Sequence, residues 1–322
     1  MALIVCPECS QTVSDRAAEC IGCGYPISAA PYSNSTPRGL AVPPTVPDFD
    51  IPAHNGRDNG ATSGWAEDAV EYSAVATSAA PLLAIYLIDV SHSMNEPLAN
   101  AGGKTKIMVV KEAFQSILKV MMRRSMKGDV VAARYGISLL AYSDGVEDVY
   151  GGTLSIEDAL NRPLPAFRTG MRTNTAAAFQ SAYQILKDKL PHLGNSPAPM
   201  VCHLTDGGYN EGPDPRGIVA EIRKLRNNDG PVLVENIFVG DRLTNTPIND
   251  IKRWQGVMNV GDLASPYVRA LYEMASPLPA SYASELQKSG YSLKPGVQML
   301  IPAESPDLVE LAFAMSGATK TQ

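Results

Sequence analysis

The sequence predicts an α/β fold: a doubly wound, mainly parallel sheet flanked by helices, with a small cysteine-rich unit ahead of it. Three observations carry this reading. From Pro81 onward, continuous apolar runs of strand length alternate with segments whose apolar residues recur at helical spacing, the pattern of a sheet covered on both faces. Residues 29–80 are rich in Pro, Ser, Asn, Gly and Thr and show neither the strand period nor the helix period. Four of the five cysteines, Cys6, Cys9, Cys20 and Cys23, crowd into the first turns of the chain.

Residues 1–28 carry two Cys-x-x-Cys knuckles separated by ten residues. Four soft thiolates at that spacing can take the corners of a tetrahedron, and Zn2+ suits them; a rubredoxin-like iron site is the competing assignment. Pro7, Gly22 and Gly24 permit the tight turns in which backbone amides approach sulfur. So short a unit buries too little apolar surface to fold unaided, so the metal is expected to make its fold. Glu8, Asp15 and Glu19 outweigh Arg16 here, which speaks against DNA as its ligand.

Residues 29–80 read as an extended Pro/Ser-rich linker, with Phe49, Trp65 and Tyr72 docking incidentally on the next domain. Residues 81–276 read as the α/β domain. Its first strand is the apolar run 82–88. A helix over 106–127 follows, with Ile107, Val110, Phe114, Ile117, Leu118, Met121 and Met122 on one face and Gly128 as its stop. Further strands are expected at 133–142, 200–205 and 232–239, and helices at 175–190, 217–227 and 267–275. Residues 277–322 read as a C-terminal helical extension, with helices at 281–288 and 306–315.

The 322 residues carry 27 Lys+Arg against 33 Asp+Glu, a net charge of −6. A chain without a basic footprint is a poor nucleic-acid or anionic-lipid binder. No apolar run approaches the roughly 18–20 residues of a membrane helix. The N-terminus lacks the basic region and long apolar stretch of a secretory signal, so a cytoplasmic location is expected. In such a compartment an odd cysteine count favours metal thiolates plus one buried thiol, Cys202, over disulfides.

The sharpest motif is Asp89-Val90-Ser91-His92-Ser93, at the C-terminal end of the first strand. Ligands of open α/β sheets bind where loops leave those strand ends. A carboxylate followed by two hydroxyls at alternate positions puts three hard oxygens on one loop, the ligand chemistry of Mg2+ or Mn2+. Two further pieces lie downstream: Thr173, just before a helix, and Asp206, in a Thr-Asp-Gly turn after a buried strand.

This set resembles the von Willebrand factor A (VWA) domain and its metal-ion-dependent adhesion site (MIDAS), whose Asp-x-Ser-x-Ser, Thr and Asp pieces fall on Asp89, Ser91, Ser93, Thr173 and Asp206. The resemblance covers about residues 81–276. It implies that the hydroxyls contact the cation directly or nearly so, that the aspartates act largely through water, and that a partner protein's Asp or Glu fills an open coordination position. His92 stands where that family often has Gly, and Met171-Arg172 replace glycines before the threonine.

Other motifs point less far. Gly102-Gly103-Lys104-Thr105 invites a phosphate-loop reading, but position 98, which would have to be Gly, is Leu98. There is no Gly-x-Ser-x-Gly elbow. His203 and Cys202 read as core residues of a buried strand. Glu304 and Asp307 are candidate internal ligands to the metal site from the tail.

The expectation is therefore a non-enzymatic, metal-dependent adaptor. Residues 1–28 resemble small zinc-ribbon modules that serve as docking tags on bacterial proteins. The whole is similar to intracellular bacterial VWA proteins of tellurite-resistance and stress-response clusters, which implies a protein kinase or a PP2C-like phosphatase as partner. A metal-dependent phosphate-ester hydrolase is the alternative. DNA binding through the ribbon, which would make retention on DNA strongly salt-dependent, is disfavoured by the charge.

Overall fold

The computed structural model describes residues 71–99, 101–240 and 242–303, together with the backbone of 3–5 and 12–14. Cys6, Cys9, Cys20 and Cys23, Phe49 and Trp65, and Glu304, Asp307 and the expected helix at 306–315 lie outside the described residues. The chain divides into two compact units, Met1–Ser63 and Gly64–Gln322. In the first, β1 (Leu3–Val5) and β2 (Thr12–Ser14) form an antiparallel pair with Leu3 opposite Ser14.

In the second unit the chain runs through β3 (Leu82–Asp89), a 3-10 turn (His92–Asn95), α1 (Lys106–Ser125) and the short hairpin β4 (Met126–Lys127) and β5 (Val130–Val131). It continues through β6 (Tyr135–Tyr142), β7 (Val146–Asp148), β8 (Leu154–Ser155), α2 (Ile156–Asn161) and α3 (Thr175–Lys189). Then come β9 (Met200–Thr205), α4 (Pro215–Lys224), β10 (Leu233–Phe238), α5 (Pro266–Met274), α6 (Ala280–Lys288) and β11 (Leu300–Pro302).

The main sheet has the order β11-β10-β9-β3-β6-β7, with β8 also beside β6. Pairs from β11 through to β6 are parallel, and β7 and β8 pair antiparallel with β6. From the central β3 the chain first builds outward to β6, then returns to β9 and builds the other way. The C-terminal ends of β3 and β9 are thus neighbours whose connections diverge, which opens a crevice between them.

All eight residues of β3 are buried, because helices cover both faces. Leu82, Ala84, Tyr86 and Ile88 face α1, α2 and α6, where Tyr86 meets Phe114 edge-on with ring centroids 4.9 Å apart. Leu83, Ile85 and Leu87 face α3, α4 and α5, against Phe179, Ile222, Val268 and Leu271. Each such side chain contributes about 1.5–3 kcal/mol on burial.

Two segments extend the domain beyond the expected 81–276. The Tyr72 hydroxyl donates to the Pro231 carbonyl at 3.2 Å, and the Ser73 and Ala74 amides donate to Asp229 Oδ1 at 2.9 and 2.7 Å. After α6, the segment expected to be helical also supplies β11, whose Asn236↔Leu300 to Phe238↔Pro302 register adds an edge to the sheet. Three residues are too few to show a period, and Pro302 is tolerated because the strand is an edge.

Candidate metal centre

Asp89 is the last residue of β3 and is completely buried. Its Oδ1 accepts a 2.8 Å hydrogen bond from the Ser91 amide, and its Oδ2 accepts one of 2.7 Å from the Thr205 hydroxyl. The first bond turns the chain sharply out of the strand. In the loop so formed, the Ser91 and Ser93 hydroxyl oxygens lie 3.2 Å apart, and the buried Met94 anchors the 3-10 turn that follows.

The Thr173 loop is pinned from both sides. Gly170 bridges to Ser91, its amide donating to the Val90 carbonyl at 3.2 Å, and a Cβ at Gly170 would collide with Ser143 and Asp144. Asn210 then clasps Thr173: the Thr173 amide donates to its Oδ1 at 2.9 Å, and the Asn210 amide donates to the Thr173 carbonyl at 3.2 Å. Asn174 caps α3 by accepting from the Ala177 amide.

Asp206 leaves β9 with its side chain 9% exposed and accepts a 3.1 Å bond from Lys106 Nζ. The next residue, Gly207, has φ +118°, and a Cβ there would stand 2.9 Å from the Phe238 ring. Lys106 opens α1. Its ammonium also reaches Glu96 Oε2 at 2.8 Å and the Ser93 carbonyl at 3.3 Å, so it ties the Ser91–Ser93 loop to Asp206.

Burial pushes the Asp89 carboxyl up to about 6, against the bonds from Ser91 and Thr205, and Asp206 adds like-charge repulsion. Burial alone would lower the Lys106 ammonium; the bonds and charges of Glu96 and Asp206 outweigh it and hold it above the ordinary lysine value. Glu96 is lowered in return, chiefly by its bond from Lys106.

A fully buried polar chain supports this floor from below. Tyr142, opposite Asp89 in the sheet register, meets His203 Nε2 at 2.7 Å, and His203 Nδ1 meets Asn236 Oδ1 at 2.8 Å. The Asn236 amide nitrogen donates to the Leu271 carbonyl at 2.8 Å, so its oxygen must accept. His203 therefore carries its proton on Nδ1 and receives the Tyr142 hydroxyl on Nε2. Burial drives its pKa down to about 4, with Asn236 opposing.

The geometry joins Asp89, Ser91 and Ser93 on one loop, with Asp206 linked to them through Lys106 and Thr173 through Gly170 and Asn210. His92 is exposed. Met171 is 74% exposed on the rim, and Arg172 is paired with Glu211 at 2.6 Å. In the phosphate-loop look-alike, Lys104 turns outward to an exposed pair with Glu112 at 2.7 Å and Thr105 caps α1, its side chain accepting from the Met108 amide. Lys106, Thr205 and Asn210 were not singled out by sequence reasoning. A cation in the first turn of a helix, where the dipole disfavours it, was the one signal available for Lys106.

The donor set fits a hard divalent cation. The Asp89 carboxylate and the Ser91 and Ser93 hydroxyls share one loop, which Lys106 links to the Asp206 carboxylate, and all of these are hard oxygen donors; no group of three or more His, Cys, Asp and Glu that could hold a metal occurs among the described residues. Asp89 is a buried carboxylate whose bonds come only from neutral donors, so a cation would relieve its desolvation.

Fold and site together define a doubly wound α/β domain with an oxygen-lined crevice at its switch point. Residues 84–208 match the family model of the von Willebrand factor type A domain. Proximal thread matrix protein 1 from the mussel byssus is 13% identical with a TM-score of 0.42, over 77% of this chain and 49% of that one. The same mussel protein with a zinc-occupied MIDAS motif is 15% identical with a TM-score of 0.43, over 76% and 48%. A von Willebrand factor type A protein from Catenulispora acidiphila is 16% identical with a TM-score of 0.42, over 74% and 42%. The chain spans about half the length of these solved structures. No curated protein matches it. Among the described residues no helix is long and apolar enough to cross a membrane.

Proposed function

We propose that the VWA domain is a non-enzymatic protein-binding module that works through a divalent cation, Mg2+ or Mn2+, held by Asp89, Ser91, Ser93, Thr173 and Asp206. The bound cation supplies a Lewis-acidic position for a partner's Asp or Glu. Thr205 and the Ser91 amide fix the Asp89 carboxylate, Gly170 and Asn210 hold Thr173 in place, and Lys106 orients Asp206. Exposed Met171 and His92 belong to the rim that a partner covers. The observation that supports this reading is the buried Asp89 carboxylate at the end of β3, leading into a loop whose Ser91 and Ser93 hydroxyls lie 3.2 Å apart and which Lys106 ties to Asp206.

Cys6, Cys9, Cys20 and Cys23 complete the proposal as a Zn2+ ribbon, a second docking module. Two tethered modules raise the effective concentration of one partner near another, which is what an adaptor does. A protein kinase or PP2C-like phosphatase of a bacterial stress-response complex is the proposed partner class, in the cytoplasm. The hydrolase alternative would need an acid–base group beside Asp89, and Asp206 there is engaged by Lys106.

The test is capture from a host lysate by the tagged full chain in excess Mg2+, compared with EDTA and with Asp89→Ala and Thr173→Ala, each checked for folding by circular dichroism. A partner retained only by the metal-loaded wild type supports the reading. The same partners in every lane overturn metal-site recognition.

A further inference from the structure

Lys106 breaks a local rule. It is the first residue of α1, where the helix dipole disfavours a cation, and no acidic residue sits in that first turn to offset it. Its side chain is only 10% exposed, and burying an ammonium is costly unless it is paired. Such conflicts between local preference and global structure concentrate at functional sites. The conflict is resolved by Asp206, equally buried, and by Glu96, whose side chain is 63% exposed and whose charge is therefore largely screened by water.

Resting on the metal-centre reading above, we propose that Lys106 is a built-in second cation of that centre: it weakens metal binding by repulsion and gives the loaded centre the surplus positive charge that captures a carboxylate. Asp89, Asp206 and Lys106 together carry one negative charge, so a divalent ion leaves the buried group with one positive charge. With a neutral residue at 106, the same ion would leave it with none. Because Lys106 and Asp206 are only 10% and 9% exposed, such a difference is screened less than it would be at the surface. Glu96 is the carboxylate already resting on Lys106 in the free protein, held by a 2.8 Å bond but exposed enough to be exchanged for a partner's acid.

A purely structural Lys106, one that only ties the serine loop to Asp206, predicts the opposite sign. Its loss would loosen the site and weaken metal binding, so the direction of the change decides. The experiment measures Mn2+ binding to the full chain by calorimetry and by electron paramagnetic resonance, for wild type, Lys106→Met, Lys106→Gln and Lys106→Arg, each checked by circular dichroism.

Lys106→Met is expected to bind Mn2+ at least about tenfold tighter than wild type, and Lys106→Arg within about threefold of it. Lys106→Gln keeps a donor for Asp206 without the charge; it is expected to follow Lys106→Met and serves in its place should the methionine variant not fold. Added acetate is expected to perturb the Mn2+ spectrum of wild type and to do so less in the uncharged variants. Metal affinity unchanged or weaker in the uncharged variants, or equal acetate response, overturns the inference while leaving the metal centre standing. Absence of Mn2+ binding in wild type and every variant overturns the metal-centre reading itself. Binding that appears only in the uncharged variants supports repulsion by Lys106.

Discussion

The Thr205 hydroxyl donates a 2.7 Å hydrogen bond to Oδ2 of Asp89 and accepts one of 3.1 Å from the Gly207 amide. One side chain on β9 thus holds the carboxylate that ends β3 and also shapes the turn that presents Asp206. Replacing it with valine keeps the shape and removes both bonds. Thr205→Val is expected to lower unfolding free energy by about 1–3 kcal/mol in urea titrations. It should also weaken Mn2+ binding by about tenfold or more, the usual effect of losing a group that orients a ligand.

Metal should stabilise the fold by mass action. At a hundredfold excess over its dissociation constant, Mg2+ or Mn2+ is expected to add about 2.7 kcal/mol, read as a rise in the thermal midpoint that EDTA reverses. Ser93→Ala and Asp206→Asn should fold and show a much smaller rise. An equal rise in all three would place the cation elsewhere.

His203 predicts a specific acid sensitivity. Its folded pKa lies near 4 against an ordinary 6.5. The unfolded chain therefore takes up a proton first, and stability is lost as pH falls from 6.5 towards 4. The difference is worth about 3 kcal/mol at the lower end. Chemical denaturation of wild type and His203→Gln at pH 7 and pH 4 should show that loss only in wild type.

Glu235 predicts the reverse. It is wholly buried on β10 without a well-formed hydrogen bond among the described residues, and burial holds its carboxyl well above the usual 4.5, with the Cys202 thiol opposite it in register partly offsetting this. As pH rises through 4.5, the unfolded chain ionises and the folded one does not, so wild type loses stability. Glu235→Met is expected to be more stable by about 1–3 kcal/mol at neutral pH, with a smaller gain at pH 4. Urea midpoints at the two pH values check this.

The packing of residues 71–76 predicts where the domain begins. Asp229 accepts from Ser73 and Ala74 through Oδ1 and from Ala198 through Oδ2. A chain starting at residue 71 should melt higher than one starting at 81, and Asp229→Ala should erase most of that difference. Equal melting temperatures for the two lengths would mean the segment contributes nothing.

The β3, β9 and β10 strands and the five longer helices were legible because burial on two faces gives long apolar runs and helical stripes. The Asp89, Ser91, Ser93, Thr173 and Asp206 set rests on its resemblance to a family motif; in the fold Asp89 ends β3 and Asp206 directly follows β9, the strand beside it. Short edge pieces such as Val146–Asp148, Leu154–Ser155 and Leu300–Pro302 have too few residues to show a period. The role of Lys106 lies in a contact across a hundred positions with Asp206, which no local sequence pattern encodes, whereas Lys104 of the neighbouring Gly102–Thr105 segment faces solvent.

The way the chain enters and leaves the sheet has a mechanical meaning. Residues 72–74 are fastened at Asp229 and Pro231, at the ends of the parallel strands away from the crevice, whereas β11 runs parallel to β10 and finishes beside Phe238 at the crevice end. A pull between residues 71 and 303 therefore runs along the strands. The bonds joining β11 to β10 would bear that load together, in shear, rather than parting one at a time like a zipper.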